Sequence, residues 1–475
     1  MTIIKTLQAA VLLSCLPLAA VAQSLCFYYN GQQLADNATV TIAAETDDWG
    51  ELTCETNPAG ATAEGLVLTN SSAADITGTA TLTIGRNTLE PRRVQWCMGG
   101  SCDLIKSTPY NKSYTVGAGK SIQVQFDAAD ISAPGLLEAT ITAAALGQAA
   151  TVKVRMLNST QQFVRRSVVE EYTGTWCGNC PRGIVGMKRL GEEFADRAVV
   201  IAAHGGDGEP MAINAYKDLL SGSFPDCRID RNGIKTDPYS GSGSKGRFHY
   251  GIDADFAAAL AAPTEAGLEL KAQWNDAKQW DVRLTATTTF GINSADAPYR
   301  LAFVLLEDGM TGTTSDWAQV NYFSVASGFE DSKNYADDDM SYWRDAPAKV
   351  AGVAYDHVPV NTLGIASGIA SSIAAPITAD ETQTYSNVIT TLNVKVIQDK
   401  NRLSAAALLI NTETGQVVNA AKAAIMPFDT EGIQTAATAE SMKDEAVYDL
   451  QGRRVTALTK KGLYIRRGRI EKIVK

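Results

Sequence analysis

The segment "YTGTWCGNCPRG", Tyr172 to Gly183, holds two cysteines, Cys177 and Cys180, separated only by Gly178 and Asn179. A pair at that spacing can share a metal, staple a loop or pass electrons. A structural zinc site wants four ligands, commonly two such pairs. The other close cysteine pair, Cys97 and Cys102, is distant in sequence, and the three histidines (His204, His249, His357) are scattered. No metal site and no cofactor are therefore expected. A staple around so short a loop removes little chain entropy. The flanking residues favour electron transfer. "SVVEEYT" reads as a strand, and in "CPRGIVGMKRLGEEF" the residues Ile184, Met187, Leu190 and Phe194 share one helix face. The free N–H groups at a helix start stabilise a thiolate, lowering its pKa from ~8.5 to roughly 3.5–7.5. A second sulfur with two residues intervening can resolve a mixed disulfide. Pro181 cannot donate to the Cys177 carbonyl. Either the helix starts near Cys180 with Pro181 first, or its first turn is irregular.

Outward from this segment, residues 163–262 alternate strands and helices. "AVVIAAH" is a continuous apolar run, the pattern of a strand covered on both faces. "EPMAINAYKDLL" predicts a helix with Pro210 near its start, and "DADFAAALAAP" a helix stopped by Pro263. The alternation predicts an α/β unit with parallel pairing. Cys227 is expected as a buried thiol, and His204, ending a strand, as a capping or packing residue.

Residues 24–158 are short β-branched runs separated by Gly, Asn, Asp and Pro, which predicts a β-sandwich. Its four cysteines allow three pairings. Cys97 and Cys102 flank the turn "MGGS", favouring Cys97–Cys102 with Cys26–Cys54. Residues 265–428 return to β patterning, with a loop-rich stretch at about 310–385. There Asp337 to Asp339 read as a solvated acidic loop, because calcium-loop spacing is absent. A polar linker, 429–446, leads to a basic tail, 447–475, read as a small β module.

The N-terminus resembles a targeting segment over residues 1–22. Lys5 precedes an apolar run from Ala9 to Ala20, and "AVA" ends at Ala22. A lipidation site at Cys15 is the alternative. An exported chain meets an oxidising compartment, and the seven cysteines after Ala22 leave at least one thiol unpaired within a monomer. The 475-residue length suggests about three domains. A formal net charge of −10 argues against nucleic-acid binding.

"WCGNC" at a strand-to-helix turn resembles the active site of the thioredoxin superfamily. By that resemblance Cys177 is the nucleophile and Cys180 the resolving thiol. Glu171 is the buried carboxylate that moves protons for Cys180. Trp176 shapes the adjoining surface, and Pro225, after Phe224, is the cis-proline facing the cysteines. "VVEEYTGTWCGNCPRG", "SFPDCRIDRNG", "YRLAFVLLEDG" and "INTETGQVVNA" are similar to a Bacteroidota family named for a twenty-eight-kilodalton outer-membrane protein. The tail "VYDLQGRRV" with "KGLYI" is similar to C-terminal sorting modules of that phylum. These resemblances imply a multidomain fold: a thioredoxin-like α/β domain between two β-sandwich, Ig-like domains, with a small β C-terminal module. They imply an extracytoplasmic thiol–disulfide oxidoreductase in the periplasm, outer membrane or cell surface of a Gram-negative bacterium. Protein thiols and disulfides, a redox partner protein and export machinery acting on the tail are the implied partners. A surface or adhesin-like binding protein, with the thioredoxin-like domain as scaffold, is the alternative.

Overall fold

In the computed structural model, residues 24–57, 65–220, 222–242, 246–328 and 334–428 are described, with the backbone of four short strands between 447 and 473. The expected signal segment, Cys15 and the linker 429–446 lie outside the described residues. The four tail strands, Val447–Tyr448, Arg454–Val455, Gly462–Arg466 and Arg469–Ile473, pair antiparallel in one sheet. The chain is mostly β, with several sheets and few helices. Among the described residues, no helix is long and apolar enough to cross a membrane.

Residues 25–158 form an eight-stranded and a five-stranded sheet. Their alternating inward residues, among them Phe27, Leu68, Leu82, Trp96, Phe126, Ile141 and Val152, make one core. Cys97 and Cys102 face each other across a hairpin and are bonded. The expected Cys26–Cys54 bond is not made. Cys26 lies on the strand Leu25–Tyr29 and Cys54 on Leu52–Glu55, with two strands of the same sheet between them. Three strand spacings are roughly 14 Å, about twice the Cα separation a disulfide spans. Cys54 also points into the core, where burial pushes its thiol up to about 12.

The middle of the chain forms a three-stranded sheet. Its central strand, Ser167–Thr173, runs parallel to Ala198–His204 and antiparallel to Asp226–Ile229. Every residue of the first two strands is buried, because the sheet is covered on both faces. Val169, Val200 and Ile229 pack with Met187 and Leu190 of helix α1 (Pro181–Glu193) and with Ile252 and Phe256 of helix α2 (Ile252–Ala261). Val168, Tyr172, Val199 and Ile201 pack instead on Ala302, Val304, Leu306, Leu408 and Ile410 of the C-terminal sheet. Cys180 is the N-cap of α1 and Pro181 its first residue, the position where a missing N–H costs nothing. The helix expected over 209–220 is absent. Only the short 3-10 turn Asn214–Tyr216 forms there, and Glu209 turns inward as an acceptor instead.

Residues 266–426 form a seven-stranded sheet that folds over on itself. The fold lies where two parallel pairs, Ala272 with Ile425 and Gln273 with Met426, join its two halves. As a result Phe303 stacks on Tyr385, ring centroids 6.4 Å apart, although their strands are far apart in the sheet order. Between the strands Tyr299–Glu307 and Val358–Leu363, an insertion reaches over the N-terminal end of α1. In its acidic stretch Asp338 is exposed, as a solvated loop predicts, but the two aspartates beside it have partners. Asp337 accepts from the Tyr250 N–H at 2.7 Å and, with Asp339, from the Tyr239 hydroxyl, while Asp339 pairs with Arg189.

Two arginines tie the N-terminal sheets to the C-terminal sheet. Arg155 bonds Glu138 at 2.8 Å and the fully buried Glu265 at 2.9 Å. Arg86 bonds Asp296 at 2.8 Å and Glu413 at 3.0 Å. Burial acts to raise the Glu265 carboxyl, but Arg155 and hydrogen bonds, including one from Tyr299, outweigh it and hold it below its ordinary value. A depressed carboxyl contributes stability above its unfolded pKa and loses it as pH falls through the folded value. Arg155→Met strands the Glu265 charge, and urea unfolding at neutral pH is expected to show a loss of about 3 kcal/mol. The deficit is expected to shrink in acid, and a pH-independent deficit contradicts this assignment.

Candidate functional site

The turn from the central strand to α1 carries the cysteine pair. Cys177 and Cys180 are bonded, with Cα atoms 5.4 Å apart. The turn closes locally, as Cys177 N–H donates to the Gly174 carbonyl and Cys180 N–H to the Cys177 carbonyl, each at 3.1 Å. Beneath α1, the Glu171 side chain is buried and its Oε1 has no hydrogen-bond partner. Burial pushes this carboxyl up to about 8, against a hydrogen bond with Thr173. The helix crosses it at Gly183, where a Cβ would sit 1.9 Å from Oε1. Cys227 stands opposite Glu171 in the strand register, fully buried, its thiol pushed well up chiefly by desolvation.

Trp176 is 48% exposed; its Nε1 donates to the Gly205 carbonyl at 2.7 Å and its ring lies 5.3 Å from that of Phe224. The Phe224–Pro225 peptide is cis, and Pro225 is buried at the start of the strand Asp226–Ile229. The structure thus brings Cys177, Cys180, Glu171, Trp176 and the Phe224–Pro225 turn to one end of the three-stranded sheet. Cys97–Cys102, Cys26 and Cys54 belong to the N-terminal sheets, away from this turn.

Two features escaped the sequence reading. The first is a buried acidic clamp. Glu209 Oε2 accepts from Thr175 N–H at 2.8 Å and Thr175 Oγ1 at 2.9 Å, while its Oε1 meets His204 Nδ1 at 3.0 Å. The second is a strap from the C-terminal insertion. Gln319 Nε2 donates to the Cys177 carbonyl at 2.8 Å, Val320 N–H to the Thr175 carbonyl at 2.7 Å, and Tyr322 N–H to the Gly178 carbonyl at 2.9 Å. The Tyr322 ring lies against Gly178, whose absent Cβ would be 2.4 Å from it. Under this cover Cys177 is 5% exposed and Cys180 0%. A nucleophilic Cys177 has to be open to a substrate, and here the chain's own strap covers the turn that carries it. Nothing in "QVNYF" marks such a role, since its donors are mostly backbone.

No family model matches the chain. It is similar to the curated "Thioredoxin-like protein YneN" of Bacillus subtilis (strain 168), 29% identical over 82 residues. That match covers 17% of this chain and 48% of the other, so the chain spans about half the length of the curated relative it matches. Among solved structures, HBP35 of Porphyromonas gingivalis is 17% identical, covers 66% of this chain and 98% of its own, and superposes with a TM-score of 0.38. A domain of the outer membrane lipoprotein Omp28 from Porphyromonas gingivalis is 13% identical, covering 35% of this chain and 92% of its own, with a TM-score of 0.18. No activity is carried over from these proteins.

A carboxyl whose folded pKa lies above its unfolded value costs nothing in acid and destabilises increasingly as pH rises between the two. For Glu171 that window runs from 4.5 to about 8. Glu171→Gln is therefore expected to raise stability at about pH 9 by ~2 kcal/mol or more and to be near neutral at about pH 4, read by urea unfolding. An equal effect at both pH values contradicts a buried, reluctantly ionised Glu171.

Proposed function

We propose that this chain is an extracytoplasmic thiol–disulfide oxidoreductase. In this reading, residues 163–262 are a thioredoxin-like domain set between β-sandwich domains at 24–158 and 265–428, with a small β module at the C-terminus. In the reduced form the Cys177 thiolate attacks a substrate disulfide. One substrate sulfur leaves as a thiolate and a mixed disulfide forms. Cys180 then loses its proton to Glu171 and attacks Cys177. The substrate departs with two electrons, and the Cys177–Cys180 bond forms. The observation that carries this reading is the juxtaposition of the bonded pair at the N-terminus of α1 with a buried carboxyl of raised pKa beneath it. The cis peptide before Pro225 and the part-exposed Trp176 support it. The targeting-type sequence pattern over residues 1–22 supports a place at the periplasm, outer membrane or cell surface.

A second reading is a surface-binding or adhesin-like protein in which this domain is a scaffold. The burial of both sulfurs favours it. The two readings separate in a trapping experiment. Purified Cys180→Ala protein, incubated with envelope proteins or a small disulfide, is expected to accumulate mixed disulfides through Cys177 on a non-reducing gel. Absence of any adduct, with Cys177 shown to be reduced, leaves the scaffold reading standing.

A further inference from the structure

We propose that the Cys97–Cys102 disulfide is a second thiol-exchange site on this chain, one that external thiols open while the fold around it stays in place. The proposal stands apart from the redox reading of Cys177–Cys180 and uses none of its residues.

The bond joins two strands that already hold each other. Cys97 on the strand Pro91–Met98 and Cys102 on Ser101–Leu104 are direct antiparallel partners, with Gln95 opposite Leu104 and Met98 opposite Ser101. Their Cα atoms lie 4.0 Å apart, at a sequence separation of 5. The shorter the loop a disulfide closes, the less entropy it removes from the unfolded chain. A second tie does the same task. Lys112 is buried on the strand Tyr110–Val116 of the other sheet. Its Nζ donates to the Trp96 carbonyl at 3.2 Å and the Ser101 carbonyl at 2.8 Å, and it pairs with Asp103 at 2.6 Å. Those carbonyls belong to the residues just before each cysteine, one on each strand. With the bond open, the ladder and Lys112 keep the two thiols facing each other, ready to close again.

The two sulfurs differ in access, and the difference sets the chemistry. Cys102 is exposed, whereas Cys97 is 8% exposed. Exposed disulfides are the labile ones. An external thiolate attacks the Cys102 sulfur and forms a mixed disulfide there. The Cys97–Cys102 bond breaks, and Cys97 leaves with the electron pair as a thiolate. Gln95 Nε2 already donates to the Cys97 sulfur at 3.2 Å. That bond strengthens as the sulfur becomes an anion, because hydrogen bonds to charged acceptors are roughly twice as strong as neutral ones. A second external thiolate then attacks the external sulfur of the mixed disulfide, and Cys102 leaves in turn. The two external thiols end as one disulfide. Their two electrons and two protons end on Cys97 and Cys102.

The test uses the oxidised full chain carrying Cys177→Ser and Cys180→Ser, so that the hairpin pair is read without the other disulfide. Thiols present at the start are first blocked. The folded protein is then incubated with reduced glutathione or with a reduced thioredoxin, and new thiols are alkylated and located by mass spectrometry. New label is expected at Cys97 and Cys102. Reaction with glutathione alone assigns small thiols as the class this site takes, and reaction with both adds protein thiols. In the same background, Gln95→Leu is expected to slow opening by glutathione about threefold, since the departing sulfur loses its donor. The full chain with Cys97→Ser and Cys102→Ser is expected to fold with the parent's circular dichroism, because the ladder and Lys112 remain. Reaction with neither thiol, a rate unchanged by Gln95→Leu, or a serine variant that fails to fold overturns the proposal.

Discussion

In the tight turn from Gly174 to Gly178, the Thr175 and Gly178 carbonyl oxygens receive no donor from the turn's own backbone. A buried carbonyl without a donor costs free energy comparable to a lost hydrogen bond, so donors must come from elsewhere. Here they come from residues 319–322, almost 150 positions later in the chain. This one requirement links the cysteine turn to the C-terminal insertion, and it explains why the insertion lies over the end of α1 rather than out in solvent. On the inner side, Glu209 meets the Thr175 N–H and hydroxyl. The turn is therefore clamped from two sides by residues outside the cysteine motif.

The layers around the turn make that clamp rigid. The central strand is buried from Ser167 to Thr173 because helices cover one face and the C-terminal sheet covers the other. The buried Glu170–Arg231 pair, with bonds of 2.7 Å, extends this union, since Arg231 also reaches the Ile365 carbonyl at 2.7 Å. Arg86 and Arg155 do the same for the N-terminal sheets. Arg231, Arg86 and Arg155 each reach a partner beyond their own sheet, so each fixes an orientation as well as a contact.

The parts legible in the sequence were those with local physical causes. "AVVIAAH" lacks alternation because both of its faces are covered, and it forms such a strand. "MGGS" turns between Cys97 and Cys102 because glycines there accept positive φ, 61° at Gly99 and 85° at Gly100. Pro181 left two readings of the start of α1 open, and the one with Pro181 opening the helix is formed. What failed depended on distant partners. The helix expected over 209–220 gave way because Glu209 is recruited inward by Thr175 and His204. A bond between Cys26 and Cys54 looked reasonable only while strand order was unknown. The strap carried no signal, because main-chain N–H groups look alike in any sequence, and Asp337 and Asp339 read as solvated because their tyrosine and arginine partners lie some 90 to 150 positions away.

The central claim is that the Cys177–Cys180 bond is an exchangeable store of two electrons rather than an inert staple. Its reduction potential, measured in the full chain against glutathione buffers, tests this most directly. An oxidoreductase is expected to fall within the span of about −270 to −120 mV occupied by thioredoxin-like dithiols. A value below about −300 mV, the range of structural disulfides, contradicts the account.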